Sequence, residues 1–182
     1  MTPDEEIVAW QIGRRPRGLL RVESRCAFGY PVAVSVAPLV EHRRGAGPRE
    51  PFPTRFWLTC PVLVEQVSRM EAAGIVERLE NEAGAEPALG ARLRADHARY
   101  AAERFAALGP EDLREAERRG LLPVLRDSGV AGCRDHRYVK CLHAHVAHHR
   151  ARGGNAAAEA AAALEPLREC EAGAVRCERR TP

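Results

Sequence analysis

Arg55 to Val67 reads RFWLTCPVLVEQV, and the change of period inside it decides the fold. Arg55 to Thr59 is short and aromatic, bounded upstream by Pro51 and Pro53, which predicts a strand. Cys60-Pro61 follows at once. Proline is favoured in the first helical turn, where its missing N–H has no partner to lose. From Val62 to Leu79 the apolar residues Leu63, Val67 and Met70 recur at helical spacing. Gly74 ends or kinks that helix, and Thr59 or Cys60 is its N-cap. A strand feeding directly into a helix sets sheet against helix in one domain.

Upstream, Leu19 to Cys26 alternates, with Leu20, Val22, Ser24 and Cys26 on one side and Arg21, Glu23 and Arg25 on the other. Val32, Val34 and Val36 alternate again after a turn at Ala27–Tyr30, so the two runs predict an antiparallel hairpin. Asp4 to Ile12 suits a short helix, and Glu41 to Pro53 reads as a loop rich in glycine and proline. Downstream, helical periodicity runs over Glu86–Leu108, Pro110–Arg119, Arg137–Asn155 and Ala156–Leu167, with Leu121–Asp135 irregular. The expected fold is α+β, with a small N-terminal antiparallel sheet of about three strands packed against several helices. Residues 1–168 form a single domain, and 169–182 a frayed polar tail.

The 182 residues are enough for one domain with a real core. At 45% hydrophobic and 29% charged, the composition is that of a globular chain, and a net charge of +3 selects no partner. No apolar run approaches the length of a bilayer-spanning helix. The acidic start, MTPDEEIVAW, does not read as a secretory signal, so the expected location is the cytoplasm. There, six widely spaced cysteines are expected as free thiols or metal ligands rather than disulfides.

Arg137 to Asn155 (RYVKCLHAHVAHHRARGGN) holds one cysteine, four histidines and the only lysine of an arginine-rich chain. Wound at about 100° per residue, it places Val139, Leu142, His143 and Val146 on one face. Cys141, His145 and His148 fall on the other, with His149 at its edge. Thiolate and imidazole donors together suit zinc. One helix rarely supplies a whole site, so the expected ligands are Cys26, Cys60, Cys141, His145 and His148, with Cys133 in reserve. His143, on the apolar face, reads as a hydrogen-bonded core histidine. Cys60 at a helix N-terminus feels the positive end of the dipole, which favours thiolate.

GRRPRG (Gly13–Gly18), PFPTRFWLTCP (Pro51–Pro61) and VKCLHAHVAHHRARGGN (Val139–Asn155) resemble, in matching order, the bacterial domain of unknown function 501 family. The resemblance covers most of Gln11 to Asn155, and KCLHAH is its specific element. It implies a shared fold and site without an activity. It also implies an actinobacterial source, in keeping with the arginine-rich composition, and genes near those for a septum formation initiator and an exopolyphosphatase-type protein. A phosphate-containing small molecule or polyphosphate is the partner so implied. Cys170 and Cys177 lie outside the matching region.

Three functions follow as expectations. The first is a metal-binding protein, with Zn2+ favoured over an iron–sulfur cluster. The second is an enzyme in which Cys60 or Cys141 is a thiolate nucleophile, a helix histidine such as His148 its base, and Lys140 with Arg104 the anchor for an anionic substrate. The third is an anion- or nucleic-acid-binding module using Arg14, Arg15, Arg17 and Lys140, against which nucleic acid in particular is disfavoured by the modest charge and the lack of interleaved aromatics. Set against all three is a hydrogen-bonded polar interior with no chemistry of its own.

Overall fold

The computed structural model describes residues 1–42 and 47–179. Part of the expected Glu41–Pro53 loop, Gly45 included, and the last residues of the tail fall outside them. Helix α1 (Pro3–Ile12) opens on a capping box, in which Thr2 Oγ accepts from the Glu5 N–H and the Glu5 carboxylate accepts from the Thr2 N–H. Strand β1 (Leu19–Arg25) pairs antiparallel with β2 (Pro31–Val36), Val22 opposite Val34. A two-residue ladder joins β3 (Leu39–Val40) to β4 (Glu50–Pro51), so the expected loop carries a strand at its far end. Strand β5 (Phe56–Leu58) pairs with the free edge of β2, Ser35 opposite Phe56. The sheet order is β1-β2-β5, and the α+β expectation is met. Every residue of the central strand β2 is buried, because α1 packs against it as well as the later helices.

Helix α2 (Pro61–Ala72) buries Leu63, Val67 and Met70, the residues its periodicity singled out. Gly74, at φ +79°, takes a left-handed conformation that other residues rarely adopt, and α3 (Ile75–Ala85) begins beyond it. Helices α4 (Pro87–Ala106) and α5 (Pro110–Arg118) follow as expected. Leu121–Asp135 is more regular than its Pro and Gly content suggests, with α6 (Leu122–Asp127) and a 3-10 turn at Val130–Gly132. Helix α7 (Leu142–Arg152) lies across β2 and β5, and α8 (Ala156–Leu164) packs beside it. Within the tail, Val175 and Cys177 are buried. Among the described residues no helix is long and apolar enough to cross a membrane.

The face of α4 that mixes apolar and polar residues points inward, not toward a site. Tyr100 Oη accepts from the N–H groups of Arg55 (2.6 Å) and Phe56 (3.2 Å). Arg104 is fully buried, and its guanidinium donates to the carbonyls of Leu125 (2.8 Å), Pro53 (3.1 Å) and Ser128. His97 accepts from Val130 N–H at Nδ1 and donates from Nε2 to the Tyr138 carbonyl, each at 2.9 Å. A Cβ at Gly129 would lie 2.2 Å from His97 Nδ1, so only glycine lets the loop close on that ring.

Burial pushes His97 down to about 4, helped by His136 and His148 nearby. Burial also holds His145 down to about 3, against the oxygens of Asn155 and Val139 beside its ring nitrogens, which favour its cation. An unfolded histidine titrates near ~6.5. As pH falls below that value the unfolded chain takes up protons that the folded one refuses, so stability is full above it and declines toward pH 4. Urea unfolding across pH 7 to 4 should show this decline. In His97→Gln the slope should be shallower by roughly one proton, even though the variant starts less stable.

Candidate functional site

Helix α7 starts five residues later than its sequence period suggests. Cys141 is the N-cap, at φ −152°, and Lys140 before it is left-handed at φ +58°. The reason is a tight turn in which the Cys141 N–H donates to the Val139 carbonyl at 2.6 Å. Glu80 Oε1 accepts from the Val139 N–H at 2.8 Å, and Glu71 Oε1 accepts from the Leu142 N–H at 2.7 Å. A carboxylate there satisfies an otherwise orphaned helix-terminal donor and faces the positive end of the dipole.

The face expected to be buried, with Val139, Leu142 and Val146, is buried, but so is the opposite one. His145 and His148, counted as ligands, are fully buried. His145 Nε2 donates to the Val139 carbonyl at 3.0 Å, and its Nδ1 lies 3.1 Å from Asn155 Oδ1. Asn155 also caps α8, accepting from the Ala158 N–H, and donates to His148 Nδ1 at 3.2 Å. His148 stacks on Phe56 at 5.5 Å and reaches the Glu103 carboxylate at 3.4 Å. Both imidazoles are spent on holding α7, α8 and the sheet together. His149, half-exposed, accepts from the Asn155 N–H at 3.3 Å.

His143, expected in the core, is the histidine that meets Cys141. Its Nδ1 lies 3.2 Å from Glu71 Oε2, and its Nε2 donates to the Val64 carbonyl at 3.2 Å with Ser68 Oγ at 3.1 Å. Among the described residues, Glu71, Cys141 and His143 form the only group of three or more such side chains whose ligand atoms all lie within 4.8 Å of one another. The expected set of Cys26, Cys60, Cys141, His145 and His148 is not assembled. Cys60 does cap α2, but it is packed into the apolar core, and burial raises its thiol above the usual range rather than favouring thiolate. Cys26 packs against the same core from the β1–β2 turn. Cys133 is buried and donates to the Asp135 carbonyl at 3.2 Å.

The basic residues also separate. Arg104 serves backbone carbonyls and cannot hold a substrate. Lys140 points its Nζ toward the Gly132 carbonyl at 3.4 Å, in a surface groove with Arg134 and Tyr138, away from the Cys141 side. Arg17 donates to the Glu41 carbonyl at 2.9 Å. Arg14 alone joins Cys141 and His143, in a cleft of about 270 Å³ floored by Phe56 and Trp57, with its guanidinium over the Trp57 ring at 4.8 Å.

Glu71 is the residue that sequence reasoning missed. Val64, Ser68 and Glu71 recur at spacings of four and three, so they share one face of α2, and that face meets His143. The hydrogen bond with Cys141, together with the Glu71 carboxylate, raises His143 to about 9 despite its partial burial. NMR titration of the imidazole in metal-free protein should therefore find His143 cationic at pH 7.5. Cys141→Ala and Glu71→Gln should each bring its pKa down toward ~6.5.

The family model described as "Protein of unknown function (DUF501)" matches residues 22–163. Neither a curated protein nor a solved structure matches the chain. The matched span runs from within β1 to within α8, with Glu71, Cys141 and His143 inside it and Arg14 outside. The chain therefore belongs to the DUF501 family.

Proposed function

We propose that the protein binds a zinc ion through Glu71 Oε2, Cys141 Sγ and His143 Nδ1, in the cytoplasm, where a thiol ligand stays reduced. The observation that carries this reading is the convergence of one sulfur, one nitrogen and one oxygen donor from two helices. In a tetrahedral centre with bonds near 2.1 Å, neighbouring ligands sit about 3.4 Å apart, close to the 3.2 Å between Glu71 and His143. The surroundings suit such a role. The Val64 carbonyl holds the His143 Nε2 proton, so a metal would displace only the second proton, on Nδ1, and the Leu142 N–H orients the carboxylate. The donor set is too hard for copper(I) and too soft for magnesium, and zinc accepts all three types.

Three protein ligands leave the fourth position to water or substrate, the pattern of a catalytic rather than a structural site. A zinc ion there would act as a Lewis acid on a bound oxygen. The chain's own part is to present that position to the cleft shared by Cys141 and His143. A second reading keeps the same residues without metal, with Cys141 as nucleophile and His143 as its proton partner, and the raised His143 favours it.

Elemental analysis of protein purified without a histidine tag separates the two. The expected result is about one zinc per chain, lost in Cys141→Ala, His143→Ala and Glu71→Gln and kept in Cys26→Ala and Cys60→Ala. Metal-free protein that alkylates rapidly at Cys141 would replace the first reading with the second.

A further inference from the structure

The two non-glycine residues with positive φ among the described residues are Ala131 (φ +53°) and Lys140 (φ +58°), and the cleft that holds Arg14 is reached by the first directly and by the second only through its neighbour Cys141. Ala131 lines it, and Lys140 immediately precedes Cys141, which lines it too. A left-handed conformation is sterically disfavoured at a residue with a Cβ. Strain of this kind persists where the surrounding structure enforces it and gathers at ligand sites. Here the enforcement is visible. Glu80 and Glu71 hold the backbone on either side of Lys140, and His145 holds the Val139 carbonyl from below.

Arg14 stands over this cleft with nothing to neutralise it. Its guanidinium carbon sits over the Trp57 ring, 4.8 Å from the centroid, and among the described residues no carboxylate pairs with it. Several other arginines bridge elements through carboxylates. Arg25 is paired with Asp4, Arg49 with Asp112 and Glu115, and Arg152 with Glu23 and Glu103. Stacking fixes the plane of a guanidinium while leaving its in-plane N–H donors unused, and that fork matches the two oxygens of a phosphate or carboxylate. Gly13 ends α1 just before Arg14, and this bend carries the side chain back over β5.

We propose that the cleft binds a small oxyanion-bearing ligand, its phosphate or carboxylate group held by Arg14 against Trp57 and its other end presented to Cys141 and His143. The volume of about 270 Å³ is enough for the anionic group of a small metabolite. Presentation to a metal rests on the zinc reading, while recognition by Arg14 stands on the cleft alone. Arg14 is thus a binding residue, and the loop that carries it completes a site whose reactive groups come from α2 and α7.

The test uses the full chain in a Trp10→Phe background, so that Trp57 is the one indole reporting. Inorganic phosphate and acetate are titrated separately, by calorimetry and by Trp57 emission, alongside zinc content. The expected result is saturable binding of at least one anion with a change in emission. Arg14→Gln should weaken it tenfold or more at unchanged zinc content, with Arg14→Lys in between. Tighter binding of phosphate than of acetate assigns a phosphoryl ligand, and the reverse order a carboxylate. Binding unaltered by Arg14→Gln, or no binding of either anion, overturns the proposal. Arg14-dependent binding by a chain that holds no zinc overturns the metal centre and supports oxyanion recognition. Zinc present without anion binding does the opposite.

Discussion

One tight turn, at Val139–Cys141, holds the site in place. Its backbone groups are divided among three elements. The Val139 N–H goes to Glu80 on α3, and the Val139 carbonyl to Cys141 and to the buried ring of His145. The next donor, the Leu142 N–H, goes to Glu71 on α2. The turn cannot relax without leaving buried polar groups unpaired, which costs about 1–3 kcal/mol for each. It therefore keeps Lys140 in a left-handed conformation and aims Cys141 at the cleft. His145 never reaches the cleft, yet it shapes it through a single backbone oxygen.

Behind this rim lies a layer of polar groups that do structural work. Arg104, His97, Tyr100, His145, His148 and Asn155 are all fully buried, and each finds its hydrogen bonds inside. Burial disfavours charge, so His97 and His145 stay neutral in the ordinary pH range. Arg104, which cannot readily lose its proton, is instead met by the oxygens of several carbonyls. The same chemical types thus divide by depth. The inner histidines tie helices to the sheet, while the half-exposed His143 beside a thiol and a carboxylate keeps its capacity to bind or transfer.

Much of the fold was legible in the sequence because local pattern and tertiary need agree there. The strand at Leu19–Arg25, the Cys60-Pro61 junction and the glycine at 74 each have one easy structural answer, and the chain adopts it, although register shifts break the alternation of β1 and leave Leu20 exposed and Glu23 turned inward. The site was less legible, for two reasons. A helical wheel separates faces without saying which of them the fold covers, and here the His145 and His148 face is buried beside the apolar one, while the turn at Lys140 takes Cys141 out of the helix and brings it to His143. Nothing in the local pattern announces that turn, since its partners Glu71 and Glu80 lie some 60 to 70 residues away in the chain. Cys60 shows the converse. Its position at a helix N-terminus was read correctly, but the pull of the dipole is outweighed by burial in the apolar core. Burial is a property of the whole fold, and spacing does not reveal it. Among the arginines the same limit applies. Arg14, Arg17 and Arg104 look alike in sequence, and only their neighbours separate a free guanidinium from one spent on carbonyls.

The central claim is that Glu71, Cys141 and His143 together coordinate one zinc ion. Anomalous diffraction from crystals of the untagged protein, recorded above and below the zinc absorption edge, tests it most directly. The account predicts a single strong peak within about 2.0–2.3 Å of Glu71 Oε2, Cys141 Sγ and His143 Nδ1. A peak at Cys60 or Cys26, or no peak in protein prepared with zinc and without oxidation, would contradict it.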